Sequence, residues 1–272
     1  MKALVYQIDA ITNLHVGNGE VNYGVVDNLI QLDATTGFPV INASSLKGAL
    51  REHCNQLMKE DSICSIFGSD PNDSKKREAG KFRFFDANLL SMPVRSSKTP
   101  FLMGTCPMLI NDYITKRDLF GMPLDKERII DQLSIVLTKV KDGIPIVMQK
   151  EHTDAMIEDF DLKAEYIGED VDIAALVSLT GSPSVLFSDK DFSRLCNEDH
   201  LPVMARNNLT KGHENLWYEQ ILPRFSRLYF YVLSPDDDTM HTQFNDSITK
   251  NLVQIGANAT VGYGYCQLTQ IS

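Results

Sequence analysis

The order of the apolar patterns along the chain constrains its fold more than any other feature. Residues 2–12 alternate apolar and polar side chains as a half-buried strand does, and residues 227–233 form a second strongly apolar strand. Helical spacing of apolar side chains runs from Leu46 to Met58 and recurs over residues 125–141. Strands and helices alternate, but without the regular rhythm of a doubly wound sheet. This order predicts an α+β fold.

Shorter segments complete the predicted order of elements. The helix that contains Leu46 is expected to begin at Asn42 and to end near Lys59–Asp61. Prolines at 93, 100 and 107 predict irregular chain between them. The remaining predictions are extended backbone at 21–32, 40–41, 81–87 and 266–271, a polar loop at 68–80, a strand or helix at 170–179 and a helix at 247–255.

The charge of the chain is concentrated in one segment. The 272 residues include 26 Lys and Arg against 36 Asp and Glu, a formal net charge of −10. Residues 151–200 hold 13 of the acidic residues and 3 of the basic ones, so the remainder balances at 23 of each. The acidity therefore does not exclude a nucleic-acid partner, although affinity for phosphate comes from Lys and Arg. The acidic block is interpreted as a solvated, loop-rich insertion or as a surface that meets a basic partner.

The N-terminal residues and the cysteines indicate a compartment. The first 17 residues contain a single Lys and an apolar run that Gln7 and Asp9 interrupt, which does not match a signal peptide. No apolar stretch approaches the roughly 18 residues of a membrane span. The five cysteines include no C-x-x-C pair, which predicts free thiols in a reducing cytosol. We therefore expect a cytoplasmic protein with no membrane partner.

The segment from Ser44 to Arg51 has the composition of an anion site. Hydroxyl residues lie at a predicted helix start, where free N–H groups and the positive end of the helix dipole favour an anion. Lys47 and Arg51 are four residues apart and share a face, and Gly48 allows another backbone to come close. These residues, with Ser45, predict a phosphate-binding site. A normally capped helix with solvated cations is the alternative.

Two carboxylates and one glycine-rich loop are further candidates for function. Asp27, in an apolar stretch, can bind a metal ion or accept a proton, and an exposed charge at a strand end is the alternative. Glu219 is a second acidic candidate, with a surface glutamate as its alternative. The amides of the loop from Gly256 to Tyr265 can donate to phosphates, although a tight turn explains its glycines equally well.

The order of these motifs resembles the RAMP superfamily of CRISPR-associated RNA-binding proteins. The matching pieces are His15, Gly17, Gly24, Asp27, Thr36-Gly37-Phe38-Pro39, Ser44 to Arg51, Phe67-Gly68 and Gly256 to Gly264. The chain is also similar to the repeated backbone subunit of the type III-B (Cmr) effector complex. That similarity lies in Phe85-Asp86-Ala87, Pro93 to Ser96, Gly104 to Pro107 and Leu216 to Glu219. Val40-Ile41-Asn42-Ala43 departs from the Ile-Pro-Gly that usually precedes the two serines.

The resemblance implies a fold and an assembly. It implies a ferredoxin-like (RRM-like) core with large insertions, including a β-hairpin thumb, in a single domain over residues 1–272. The core would comprise residues of about 1–110 and 201–272, and the insertion-rich acidic region residues of about 111–200. Further copies of the chain, together with other subunits, would stack along a guide RNA. Each copy would then cut the paired target RNA once.

The resemblance also implies roles for individual residues. The active-site aspartate of the family falls on Asp27, which would hold a divalent metal ion, Mg²⁺ or Mn²⁺, only with RNA present. His15 and Glu219 are the other catalytic candidates. The residues implied to bind RNA are His15, Gly17, Ser44, Ser45, Lys47, Arg51, Gly256, Gly262 and Gly264.

Two other functions are open at this point. The chain could be a purely structural subunit that binds guide RNA while another protein cuts. It could also be a stand-alone endoribonuclease that processes the guide, in which case His15 is the natural general acid or base.

Overall fold

A computed structural model describes residues 1–19, 24–69, 78–122, 126–197, 199–210 and 213–271. Contacts divide the chain into two compact units. The first comprises Met1–Thr35, Pro39–Asn88 and Leu201–Ser272, and the second comprises Thr36–Phe38 and Leu89–His200. The single domain over residues 1–272, with core segments of about 1–110 and 201–272, stays a prediction.

The regular elements, numbered in chain order, combine strands and helices as predicted. The strands are β1 (Lys2–Ala10), β2 (Val40–Ile41), β3 (Arg83–Phe84), β4 (Ala87–Arg95), β5 (Phe101–Thr105), β6 (Ile146–Val147), β7 (Glu165–Tyr166), β8 (Ser184–Leu186), β9 (Val203–Thr210), β10 (His213–Gln220), β11 (Arg227–Ser234), β12 (Val253–Gln254) and β13 (Tyr265–Ile271). The helices are α1 (Ala43–Asn55), α2 (Glu60–Phe67), α3 (Pro107–Leu119), α4 (Lys126–Leu137), α5 (Ala174–Thr180), α6 (Asp189–Cys196) and α7 (Asp238–Thr249).

The first unit is built around β1. This strand lies between β11 and β13 and is antiparallel to both, while β12 extends the sheet beyond β13. Helices α1 and α7 pack against each other, and α7 also packs on β13. The expected ferredoxin-like core has these connections: β1 leads to α1, and β11 leads through α7 to β13. Strand β1 lies between β11 and β13, as that core requires. Leu4, Tyr6 and Ile8 are buried, as the alternation over residues 2–12 predicts.

Aromatic side chains fill the space between this sheet and its helices. Phe244 of α7 is fully buried and lies within 6.2 Å, centroid to centroid, of four other rings. Those rings belong to Tyr6, Phe67, Phe82 and Phe84. Such edge-to-face contacts add to the free energy gained by burying the rings, and Ile248, one turn further along α7, is fully buried as well.

A separate hairpin rises from the first unit. Strands β9 and β10 pair with each other from Val203–Gln220 to Thr210–His213 and form a two-stranded sheet. Leu216 and Tyr218 are exposed on one face, whereas Glu219 is buried on the other. This hairpin corresponds to the expected thumb, and the residues at its tip, 211–212, lie outside the described residues.

The second unit contains most of β4, strands β5 to β8 and the acidic block. Strands β4 and β5 form an antiparallel hairpin, β5 pairs in parallel with β8, and β6 joins β8 to β7. Residues 151–200 contribute β7, α5, β8 and α6, and their Phe160 and Phe187 rings stack at 5.3 Å inside the unit. Much of the block lies outside these elements, as the loop-rich interpretation predicts, but the block is not wholly solvated: its apolar residues form core, and charges such as Asp159 lie at the surface.

Several predicted boundaries are wrong for identifiable reasons. Helix α1 ends at Asn55, and a second helix begins at Glu60, because the extended backbone of Lys59 interrupts the helical path. The prolines of 92–107 do not produce irregular chain. Pro93 lies within β4, Pro100 in the turn before β5, and Pro107 at the first position of α3, where proline is favoured.

Two further segments differ from prediction. The helix expected at 247–255 is instead α7, which begins earlier because the Asp237 carboxylate accepts a hydrogen bond from the Met240 N–H and caps it. Residues 24–32 were expected to be a strand, but they make single bridges only, at Asn28, Ile30 and Leu32. The other part of that prediction, residues 21–23, lies outside the described residues, as do 70–77 of the predicted polar loop.

The cysteines are free thiols, as predicted, and four of the five are buried. Burial raises the pKa of Cys54 and of Cys266 to about 12. Across the described residues, no helix has both the length and the apolar composition that crossing a bilayer requires.

Candidate nucleic-acid interface

The Asp27 side chain is exposed, and its position is fixed by the base of the hairpin. The amide N–H groups of Asp27 and Asn28 donate to the Tyr218 carbonyl at 3.0 and 3.1 Å. The Tyr218 N–H in turn donates to Oδ2 of Asp27 at 2.7 Å. Three hydrogen bonds to one residue hold this short stretch of backbone and orient its carboxylate. The result is a surface carboxylate with a fixed orientation. An exposed charge at a strand end, the alternative interpretation of Asp27, would not need this orientation.

A buried glutamine of β10 continues this attachment. Gln220 is fully buried, and its N–H donates to the Asn28 carbonyl at 2.9 Å. Its side-chain Oε1 accepts from the Ile30 N–H at 3.1 Å. Part of the backbone hydrogen bonding after Asp27 is therefore supplied by the Gln220 side chain. In a regular strand, a neighbouring backbone would supply it.

A second buried glutamine connects the Asp27 segment to two other parts of the site. Nε2 of Gln31 donates to the Gly17 carbonyl and to Oγ of Ser45, both at 3.0 Å. Its Oε1 accepts from the Asn42 N–H at 2.8 Å. Sequence reasoning missed this residue. The available signal was a glutamine inside the apolar run Leu29 to Leu32, because a buried amide needs several hydrogen-bond partners.

His15 is buried beneath this surface. Only 4% of the residue is exposed, and its Nδ1 lies 2.6 Å from the Gln220 carbonyl. A carbonyl can only accept, so Nδ1 must carry the proton and Nε2 is unprotonated in the neutral ring. Nε2 lies near Gly17, where an added Cβ would be 3.3 Å away. This burial gives no support to the predicted proton transfer by His15 or to its contact with RNA.

The start of α1 is built differently from the prediction. Asn42 precedes the helix without a side-chain cap, so neither serine caps it. The Ala43 N–H donates to Oδ1 of Asp86 at 2.6 Å, and the helix start thus carries a carboxylate of its own. Ser44 is exposed and Ser45 is half-buried. An incoming phosphate would meet Ser44 rather than the first amide.

The cations of α1 flank its exposed face. Lys47 and Arg51 are both half-buried, and Nη1 of Arg51 donates to the Ser69 carbonyl at 3.2 Å. Gly48 is exposed between them, and no atom lies within 4 Å of the position that a Cβ would occupy. A glycine in a helix costs about 1 kcal/mol relative to alanine, and no contact among the described residues requires it here. The open space at Gly48 therefore fits the predicted approach of a polymer backbone.

Glu219 lies at the centre of a buried hydrogen-bond cluster on the inner face of the hairpin. Its carboxylate accepts from Nε1 of Trp217 at 2.9 Å, Nδ2 of Asn258 at 2.7 Å and Nε of Arg206 at 3.2 Å. The Arg206 guanidinium also lies over the Tyr263 ring, 4.1 Å from its centroid. Three donors to one carboxylate favour a positioning role for Glu219 over direct contact with RNA.

The surroundings of Glu219 stabilise its charged form. Burial by itself raises the pKa of this carboxyl group. The Trp217 hydrogen bond, the nearby His15 and the Arg206 guanidinium outweigh burial, so the pKa of Glu219 lies below its usual value. The carboxylate is thus charged at neutral pH. Through Asn258 it ties the hairpin to the glycine-rich loop from Gly256 to Tyr265, called the closing loop below.

The glycines of the closing loop serve different purposes. Gly256 has φ +88°, and a Cβ there would lie 2.3 Å from the His15 carbonyl oxygen. Gly264 has φ +78°, is buried, and would clash with the Ile255 carbonyl in the same way. Gly262 is exposed with φ +82° and open space around its Cβ position. Backbone packing therefore explains Gly256 and Gly264, and Gly262 is the one of these three with room for RNA.

The donor set near Asp27 suits a shared metal ion better than a resident one. The described ranges contain no group of three or more His, Cys, Asp or Glu side chains arranged to hold a metal. Mg²⁺ commonly binds through one or two carboxylates together with substrate phosphates and water. A single exposed carboxylate fits that mode.

The glycine geometry predicts unequal costs for two similar substitutions. Gly256→Ala should lower the free energy of unfolding by more than about 2 kcal/mol, because its Cβ would meet the His15 carbonyl. Gly262→Ala, at a similar φ but without a clash, should cost only about 1–2 kcal/mol. Urea unfolding of both variants measures the difference. Equal costs would contradict the close approach at Gly256.

The Glu219 cluster predicts a pH-dependent loss of stability. Glu219→Gln keeps the size of the side chain but removes its charge, which should cost about 1–3 kcal/mol at pH 7. Because the pKa of Glu219 is lowered by folding, its stabilisation is present above the unfolded pKa and disappears as the pH falls through the folded one. The gap between wild type and variant should therefore narrow below about pH 4.3. Urea unfolding across pH tests this, and a gap independent of pH would refute it.

Comparison with known proteins identifies relatives over nearly the whole chain. The sequence model of one family, described as the RAMP superfamily, matches residues 7–267. The CRISPR system Cmr endoribonuclease Cmr4 of Pyrococcus furiosus is 27% identical over 288 residues, which cover 99% of this chain and 96% of that protein.

Solved structures share the fold. A chain of the type III-B Cmr-beta complex in its apo state superposes with a TM-score of 0.80 at 23% identity, covering 100% of this chain and 98% of that one. Oligomeric Cmr4 from Pyrococcus furiosus superposes with a TM-score of 0.69 at 22% identity, covering 100% and 99%. Because the family match spans nearly all of both units' sequence, this chain belongs to the RAMP superfamily.

Proposed function

We propose that this chain is the repeated backbone subunit of a type III-B CRISPR effector complex and that it cuts target RNA at Asp27. The observation that carries the cleavage role is the exposed Asp27 carboxylate, oriented by the Tyr218 N–H at 2.7 Å at the base of the hairpin. Its proposed partners are guide RNA, target RNA, further copies of the chain and the other subunits, in the cytoplasm.

The relatives support the assignment of this activity. The full-length relative from Pyrococcus furiosus is named an endoribonuclease of the Cmr system. A chain of the Cmr-beta complex bound to cognate target RNA has the same fold, with a TM-score of 0.78. Since the similarity extends over both chains almost completely, the activity of the relative is a reasonable one to carry over to this chain as a proposal.

The chemistry proposed for Asp27 is proton transfer at the cut phosphodiester. The carboxylate would take a proton from the attacking ribose 2′-hydroxyl or water, a role that requires it to be oriented and exposed. As the new oxygen–phosphorus bond forms, the bond from phosphorus to the leaving ribose oxygen would break, and that oxygen would take a proton from solvent. A divalent ion, where bound, would stabilise the charge that develops on the phosphate. Asp27 would be its protein ligand, and RNA phosphates and water would provide the others.

Guide RNA would lie along α1. Lys47 and Arg51 supply charge, Ser44 supplies an exposed hydroxyl, and Gly48 leaves room for the backbone. Each copy contributes few cations, so affinity would come from many copies acting on one strand. This arrangement is compatible with a net charge of −10, because 10 of the excess acidic residues lie in the 151–200 block.

The two other functions receive less support from the geometry. A stand-alone guide-processing enzyme would depend on His15, which is buried and engaged by the Gln220 carbonyl. A purely structural subunit would leave the fixed orientation of Asp27 without a purpose. Incubating the isolated chain with repeat RNA distinguishes a guide-processing enzyme from the proposed subunit, since only the processing enzyme would cut that RNA.

Substitution of Asp27 tests the proposed cleavage. Asp27→Asn keeps an oxygen for the Tyr218 N–H but removes the charge, and it should slow target cleavage in the assembled complex by roughly 10²- to 10⁴-fold. Assembly and guide content should not change. Asp33→Asn is the matched control, because Asp33 caps a turn of the same segment through the Thr35 N–H and should leave cutting intact. Unchanged cleavage by the Asp27 variant would sink the proposal.

Substitution of Gly48 separates stability from guide binding. Gly48→Ala should raise the free energy of unfolding by about 0.5–1 kcal/mol, because alanine is the better helix former and space is open around it. The same methyl group should lower the affinity for guide RNA by at least about threefold, or roughly 0.7 kcal/mol of binding free energy. Asn55→Ala, exposed at the end of the same helix, is the control. A stabilised variant with unaltered guide affinity would show that RNA does not lie at Gly48.

A further inference from the structure

We propose that Gln31 is a positioning residue that fixes where the target is cut relative to the guide. It does so by joining the segment that carries Asp27 to Gly17 and to the start of α1. This inference rests on the proposed function, since it concerns how the cutting and guide-binding parts of the same site are held together.

Gln31 uses every hydrogen-bonding group that it has. Its backbone N–H donates to the Val16 carbonyl at 2.9 Å, and its carbonyl accepts from the Val40 N–H at 3.1 Å. Its side chain then bonds to Gly17, Ser45 and the Asn42 N–H at 3.0, 3.0 and 2.8 Å. Residues 16–17, the segment of Gln31 itself and residues 40–45 thus meet at one residue, and only 7% of that residue is exposed.

The side chain must be an amide of this length. The Asn42 N–H requires an acceptor, whereas the Gly17 carbonyl requires a donor. Glutamate offers acceptors only, methionine offers neither good donor nor good acceptor, and asparagine is shorter by one carbon. Because a buried polar group left without a partner is costly, any of these changes should shift the three segments relative to one another.

The two ends of this connection are the two functional parts of the site. Gln31 is four residues from Asp27, on the segment that the Tyr218 backbone holds in place. Ser45, at its other end, lies two residues before Lys47 in α1. Oγ of Ser45 accepts from Gln31, so its own O–H can donate to a further acceptor, such as a phosphate oxygen of the guide. A shift at Gln31 would change the distance between the guide backbone and the cutting carboxylate.

The test compares two buried glutamines in the complete effector complex loaded with guide RNA. Gln31→Met removes the amide of the site, and Gln132→Met removes a buried amide of α4 that accepts from the Leu176 N–H in the second unit. The readouts are single-turnover cleavage rate, product ends mapped to the nucleotide, guide affinity and thermal stability.

Gln31→Met should cut roughly 10- to 100-fold more slowly, because small misplacements of reacting groups have effects of that size. Its product ends should spread over neighbouring nucleotides, while guide affinity stays within about threefold of wild type. Gln132→Met removes one hydrogen bond of 3.3 Å and a buried amide nitrogen that has no partner among the described residues, so it should cost less stability than Gln31→Met and should cut at the wild-type rate and positions. A purely structural role for Gln31 would lower the stability of the Gln31 variant and leave the cleavage pattern unchanged in both variants.

Wild-type rate and unchanged product ends in Gln31→Met would overturn the inference. If that variant fails to assemble, Gln31→Glu takes its place, because it keeps the size of the side chain and the acceptor for the Asn42 N–H. The same two readouts then decide. Loss of cutting in Asp27→Asn with normal cutting in the Gln31 variant would reject the positioning role alone. Normal cutting in Asp27→Asn would reject the proposed function itself.

Discussion

The site depends on the way in which residues 27–31 satisfy their backbone polar groups. This stretch makes single bridges to its neighbours, so a sheet does not supply its hydrogen bonds. Instead, Asp27 and Asn28 bond to the Tyr218 backbone, and Ile30 bonds to the side chain of Gln220. Buried backbone groups must find partners, and the hairpin base supplies them here. The Asp27 carboxylate owes its direction to that requirement.

The cluster around Glu219 holds the hairpin base in turn. Glu219 is adjacent to Tyr218 on β10 and is bonded to Arg206 of β9 and to Asn258 of the closing loop. Gly256 allows that loop to pass directly over the His15 carbonyl. Residues near both ends of the chain and from the hairpin thus meet at one place. This arrangement explains how His15 and the loop at Gly256, from near the two ends of the sequence, come into contact.

Patterns with a strict period were predictable from the sequence. The alternation over residues 2–12 and the apolar spacing of Ile129, Leu133 and Val136 identified β1 and α4, because each element buries one face, although Val5 on the other face of β1 is buried too. Helix α7 was misplaced because it has few apolar residues: Phe244 and Ile248 are buried, and the cap at Asp237 sets its start. So short an apolar stripe gives little periodicity to detect.

The site was predictable only in part for a related reason. Residue type and order identified Asp27, Lys47 and Arg51 as candidates, but the partners of Glu219 and the connections made by Gln31 and Gln220 depend on folding. The carboxylate of Asp86 at the start of α1 likewise comes from 43 residues away along the chain. Long-range hydrogen bonds of this kind leave no local pattern in the sequence.

The central claim is that each copy of the chain makes one cut with its own Asp27. Complexes assembled from defined mixtures of wild-type and Asp27→Asn chains, with product ends mapped along the target, test it directly. The account predicts that every cut weakens in proportion to the fraction of variant chains, independently of the cuts on either side. Full cutting at every position, whatever the fraction of variant, would contradict it.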